Sequence, residues 1–100
     1  GHPVLVYFTA DSCLNCKCNA ATAIEIDATR ARIKELGVRV FEGDFTDGDP
    51  LIADELKKHG RRGVPLVLVY SADSAKAPEL LPVVLTPSTV DEALRRAGQR

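Results

Sequence analysis

The sequence predicts an α/β fold: a mixed four-stranded sheet with helices on both faces. Three observations carry this. The chain reads strand, helix, strand, helix, strand, strand, helix, and strands alternating with helical stretches build βαβ units with parallel pairs. Residues 4–8 and 64–70 are almost continuously apolar, as strands covered on both faces are. Only residues 71–78, mostly small and half of them polar, separate the last two strands, a spacing that suits antiparallel pairing.

Taken in order, Val4-Leu5-Val6-Tyr7-Phe8 is the first and central strand, and Thr9-Ala10-Asp11-Ser12 turns out of it. Residues 13–36 lack Gly and Pro and are rich in Ala, Ile, Glu, Lys and Arg, which is helical composition. Leu14, Ala21, Ile24, Ala28 and Ile33 are expected on its buried side. A break is expected near Ile26-Asp27, with Asp27 as N-cap of a second helix and Gly37 ending that helix in the left-handed conformation. Residues 38–42 form the second strand and 44–49 a loop. Asp49-Pro50 starts a helix, with Asp as N-cap and Pro at the first helical position. Leu51, Ile52, Leu56 and the stem of Lys57 are expected to be its inner side, and Gly60 its end. After the turn Arg61-Arg62-Gly63 comes the third strand, with Pro65 at its start, where proline is tolerated. Thr86-Pro87 caps a final helix that reaches about Ala97.

Bulk properties narrow the function. One hundred residues, with 45% hydrophobic and 27% charged, suit one domain with its own core. A formal net charge of −1 argues against a general nucleic-acid binder, which would show a basic stripe. The pairs Arg61-Arg62 and Arg95-Arg96 read as solvated surface charge. No apolar run approaches the ~18 residues of a membrane span, and no secretory leader is read at the start.

The three cysteines fall at 13, 16 and 18. They cannot tie distant segments together, so their chemistry is local. Cys13-x-x-Cys16 at a strand-to-helix junction reads as a redox motif. Three residues apart on a helix, both sulfurs lie on one face within bonding reach. Cys13, beside the first helical turn, is the candidate nucleophile, its thiolate favoured by free helix N–H groups and more weakly by Lys17. Cys16 is the candidate resolving thiol. Cys18 lies about 200° around the helix from Cys16 and reads as a peripheral thiol. A structural zinc site would need four ligands; the other available donors, Cys18, His2 and His59, make a poor set, and a small zinc-binding domain stays as an alternative. No metal or organic cofactor is expected. His2 reads as an exposed terminus and His59 as a helix-end residue.

At these residues the chain resembles a known family. Phe8-Thr9-Ala10-Asp11-x-Cys13-x-x-Cys16-Lys17, Asn19, Asp44-x-Thr46-x-x-Asp49-Pro50, Gly60-Arg61-x-Gly63-Val64-Pro65-Leu66 and Leu85-Thr86-Pro87 are similar, in order and spacing, to the C-terminal thioredoxin-like domains of the bacterial thiol:disulfide interchange (DsbD) family. The resemblance covers nearly the whole chain. It implies a thioredoxin fold over residues 1–100, with strands in the sheet order 38–44, 4–8, 65–70 and 80–85, excised from a longer membrane protein and lacking the usual N-terminal strand and helix. It implies a dithiol–disulfide reductase at the periplasmic face of the bacterial inner membrane. Such a domain takes electrons from a membrane-embedded domain of the same protein and passes them to protein partners that carry a cysteine pair. It also implies a cis Val64-Pro65 bond beside Cys13, with Ser12, Val64 and Pro65 contacting the partner.

Four positions depart from the family pattern, one of them Cys18, where the family usually has another residue. Ser12 stands where Trp is usual, Tyr7 where Asp is usual, and Ala20 where Glu is usual. The two missing acids are the usual proton acceptors near the resolving cysteine. They make a fold-retaining interaction module with weakened turnover the other alternative.

Overall fold

Strand β1 (Val4–Thr9) occupies the middle of the sheet because both of its faces are apolar. The computed structural model describes residues 2–61, 63–73 and 75–98. On one side β1 pairs in parallel with β2 (Arg39–Asp44), with Val4 opposite Arg39 and Tyr7 opposite Glu42. On the other it pairs antiparallel with β3 (Leu66–Tyr70), with Leu5 opposite Val69 and Phe8 opposite Leu66. β4 (Glu79–Leu80) closes the far edge, antiparallel to β3. The order β2-β1-β3-β4 is the expected one.

Period-two alternation divides the strand residues between two cores. Leu5, Val67 and Val69 pack with Ala23, Ile24, Val90, Leu94 and partly buried Ile33 and Leu36. This face is therefore covered by the helices α2 (Asp27–Leu36) and α4 (Pro87–Gly98). Leu66 and Leu68 pack with Leu56, Val6, Phe8 and Ile52, so α3 (Pro50–Lys58) covers the opposite face. The register forces a glycine at one point: Gly43 lies opposite Phe8, and a Cβ there would overlap the Phe8 ring.

Several helix ends follow their local signals. Asp49 accepts from the Leu51 N–H at 2.9 Å, with Pro50 at the first helical position. Thr86 Oγ1 accepts from the Thr89 N–H at 3.2 Å, and Gly37 ends α2 at φ 67°.

Four expectations are corrected. The first helical stretch is not uniform: α1 (Leu14–Asn19) passes into a π-helical segment, Ala20–Ile24, before the break. Asp27 is the first helical residue of α2; the N-cap is Ile26, which makes no side-chain cap bond. Leu14, Ala21, Ala28 and Leu51 lie at the surface, Leu14 and Leu51 at 75% and 79% exposure, and Lys57 is exposed as well. The buried side of α3 thus rests on Leu56 and half-buried Ile52. Finally, β4 spans 79–80 and not 80–85. The Leu81 N–H still donates to Val67 O at 3.0 Å, but Pro82 has no N–H to continue a ladder, and the chain leaves the sheet. Arg62, in the expected turn, lies outside the described residues.

Candidate active site

The Cys-x-x-Cys stretch is held by hydrogen bonds on both of its sides. Upstream, the Asp11 N–H donates to Thr46 Oγ1 at 2.9 Å. Thr46 is itself fixed by Asp44, whose Oδ1 accepts from the Thr46 N–H and hydroxyl. These bonds hold the Asp44 carboxyl below the usual carboxylate range. The Cys13 N–H then donates to Ala10 O at 3.0 Å, closing the turn into the helix. Asp44-x-Thr46, quoted above only for its likeness, thus positions the turn before Cys13.

Cys13 is the N-cap of α1, in extended conformation. Its Sγ accepts from the Cys16 N–H at 3.1 Å. A sulfur in the N-cap position takes the place of the usual serine or aspartate oxygen, and an accepted N–H favours the anion over the thiol. Cys13 and Cys16 are joined by a disulfide, with their Cα atoms 5.2 Å apart. Cys13 is partly exposed, while Cys16 is buried at 5%. This asymmetry separates an outer sulfur that an incoming protein can reach from an inner one that cannot be reached first. Cys18 is exposed and outside the bond.

Cys16 opens on a cleft of about 360 Å³ that it lines together with Lys17, Ala20, Glu25 and Glu42. Tyr7 sits on the same side of the sheet, beside Glu42 across the parallel pair. Burial, reinforced by the Glu42 carboxylate and more weakly by Glu25, pushes its phenol up to about 12. Tyr7 therefore stays protonated at neutral pH.

The other side of α1 is held by amides. The Asn19 side chain, only 3% exposed, donates from Nδ2 to Val83 O at 2.8 Å and accepts at Oδ1 from the Leu85 N–H at 3.0 Å. Asn15 Nδ2 reaches the same Val83 carbonyl at 3.5 Å. Neither role is visible from local spacing. The available signal was two amides at i and i+4 on one helical face.

The structure places the other expected site residues as follows. Val64-Pro65 is cis. It immediately precedes β3, and because Leu66 pairs with Phe8, it lies at the end of the sheet from which the Cys13 turn departs. Pro65 is buried and Val64 half-buried, packed with the α3 core. Ser12 is exposed next to Cys13. His2 is exposed, and His59 ends α3 with Nε2 3.3 Å from Glu55 Oε1. Among the described residues, no group of three or more His, Cys, Asp or Glu could hold a metal ion. No helix among them is long and apolar enough to cross a membrane.

A family model described as thioredoxin-like matches residues 1–72. The chain belongs to the thioredoxin-like family. The oxidised form of the Neisseria meningitidis DsbD C-terminal domain is 27% identical, covering 96% of this chain and 80% of that one at a TM-score of 0.77. The reduced form of the same domain is also 27% identical, covering 95% and 80% at a TM-score of 0.74. A Thermus thermophilus thioredoxin, 17% identical and covering 96% and 73% at a TM-score of 0.72, shares the fold. No curated protein sequence matches the chain. This thioredoxin-like domain thus has the fold and the cysteine pair of a thiol:disulfide oxidoreductase.

Proposed function

We propose that the domain is a protein-disulfide reductase in which Cys13 is the nucleophile and Cys16 the resolving thiol. The observation that carries this is the Cys13–Cys16 pair itself: one disulfide, an outer and an inner sulfur, and a backbone N–H aimed at the outer one. In the reduced domain the Cys13 thiolate attacks one sulfur of a partner disulfide. A mixed disulfide forms and the partner's other sulfur leaves as a thiolate, which takes up a proton. The Cys16 thiol loses its proton to the water of the adjoining cleft. Its sulfur attacks Cys13 Sγ and releases the partner's second thiolate. The partner gains two electrons, and the domain is left as the Cys13–Cys16 disulfide. A second dithiol must then reduce the domain.

Partner contact falls to Ser12, Val64 and Pro65. Ser12 is the exposed neighbour of the nucleophile. Residues 64–65 precede β3 at the sheet end that carries the Cys13 turn, and their backbone offers an extended partner segment a place to pair. The similarity to the DsbD C-terminal domain supports a finer reading. In it the domain belongs to a membrane reductase of the periplasm, draws electrons from a membrane-embedded domain of that protein, and serves electron transport of the kind used in cytochrome c biogenesis.

Equilibration with a glutathione redox buffer, followed by mass mapping of the cysteine pairs, tests the proposal. A Cys13–Cys16 disulfide that forms and breaks reversibly is expected. A pair that does not exchange with the buffer, or reduced domain that leaves insulin disulfides intact, overturns it. Cys13 is also expected to titrate below the free-cysteine value of about 8.5, read from thiolate absorbance.

A further inference from the structure

Helix α1 has six residues. A helix this short does not hold itself, since nucleation costs more than one or two turns return. Its next segment is π-helical, so its axis is not continued by a regular helix either. The position of the Cys16 N–H against Cys13 Sγ must therefore come from tertiary tethers.

Asn19 is the tether that fits. It is the last residue of α1, one turn beyond Cys16, and the only buried polar side chain of that helix. Both ends of its carboxamide are used, one on Val83 O and one on the Leu85 N–H. The segment it grips is itself anchored. Leu81 and Leu85 are buried at 1% and 4%, the Leu81 N–H bonds Val67 O, and Arg61 Nη2 donates to Leu81 O at 3.2 Å. Asn19 thus connects a short, weakly self-supporting helix to a segment tied to the sheet. A smaller or apolar residue would leave the buried Leu85 N–H without its partner and the exposed Val83 carbonyl with only the longer Asn15 contact, and a buried polar group without a partner forces local rearrangement.

We propose that Asn19 is the positioning residue of the redox pair: its two hydrogen bonds to 83–85 hold α1 so that the Cys16 N–H stays on Cys13 Sγ. This rests on the exchange reaction proposed above. Removing the clip loosens that N–H, so the Cys13 thiolate loses stabilisation. Its titration midpoint rises, and the dithiol–disulfide equilibrium moves towards the disulfide, because the reduced state has lost more than the oxidised state.

The test compares wild type, Asn19→Leu, Asn19→Ser and Val90→Ala by thiolate absorbance, glutathione-buffer equilibrium and urea unfolding. Val90 is fully buried in the α4 core, so its truncation destabilises without touching the clip. Both Asn19 variants are expected to raise the Cys13 midpoint and shift the equilibrium about three- to tenfold, the range that the net worth of one hydrogen bond corresponds to. Val90→Ala is expected to lose stability and leave both values unchanged. Should Asn19→Leu not fold, the milder Asn19→Ser decides. An Asn19→Ser protein that is destabilised but keeps the wild-type midpoint and equilibrium gives Asn19 a purely structural role and overturns the inference. A wild type that does not exchange at all overturns the reaction instead, which separates the two failures.

Discussion

Cys13 and Cys16 differ in what surrounds them more than in what they are. Cys13 is partly exposed and its Sγ accepts an N–H; Cys16 is buried beside a cleft. Their single substitutions should therefore diverge. Cys13→Ser should abolish reduction of a partner disulfide. Cys16→Ser should still attack but stall, accumulating the partner as a mixed disulfide on Cys13 that non-reducing electrophoresis and mass spectrometry detect. A second residue-scale prediction concerns Tyr7. Its phenol titrates near 12 in the folded state against about 10 unfolded. Between those values the native chain keeps a proton that the unfolded chain has lost, so stability falls as pH rises through that window. Tyr7→Phe should flatten the fall in urea midpoint between about pH 10 and 12. A shallower slope should remain, because Tyr70 is also held up by burial and by Glu55.

The cysteines were legible in the sequence because their chemistry depends on residues three apart. Asn19 was not, because its partners lie 64 and 66 positions away and are backbone atoms. No composition or spacing announces a backbone carbonyl as a target. Thr46 was hidden in the same way: it acts on the Asp11 N–H, 35 residues distant.

At the scale of elements, local signals were read well where a side chain caps its own backbone. Asp49, Thr86 and Gly37 act where expected. Thr86→Ala should cost about 1 kcal/mol by losing the N-cap of α4, measurable as a lower urea midpoint. Signals failed where tertiary packing overrode them. Asp27 lost the cap position to Ile26, and Thr29 instead bonds the Ala23 carbonyl, at 2.6 Å across the break. β4 stopped at Leu80 because Pro82 follows. Between elements, β2 must approach β1 without a side chain at Gly43. Gly43→Ala should destabilise by roughly 1–3 kcal/mol through overpacking against Phe8. The same urea titration checks it, and a neutral result would mean that the Phe8 ring can turn away.

At the scale of the whole molecule, two cores share one sheet and place the redox pair at the end of the central strand. Leu94 is fully buried and joins α4 to the larger core. Leu94→Ala should cost about 2–5 kcal/mol, a large share of the roughly 5–15 kcal/mol total of a domain. It should lower the melting temperature while leaving the Cys13 midpoint in place, since the pair is held by its own tethers.

The sequence alone determined the α/β class, the central strand and the Cys13-x-x-Cys16 pair. All of these follow from periodicity, turn residues and spacing within a few positions, which act through nearest neighbours along the chain. Only the tertiary structure decided which sulfur is outer and which inner, how α1 is bent into a π segment, and which residues hold it. Burial and long-range hydrogen bonds arise when segments far apart in sequence are brought together, and the stretch from Asp11 to Asn19 takes its working geometry from Thr46, Val83 and Leu85.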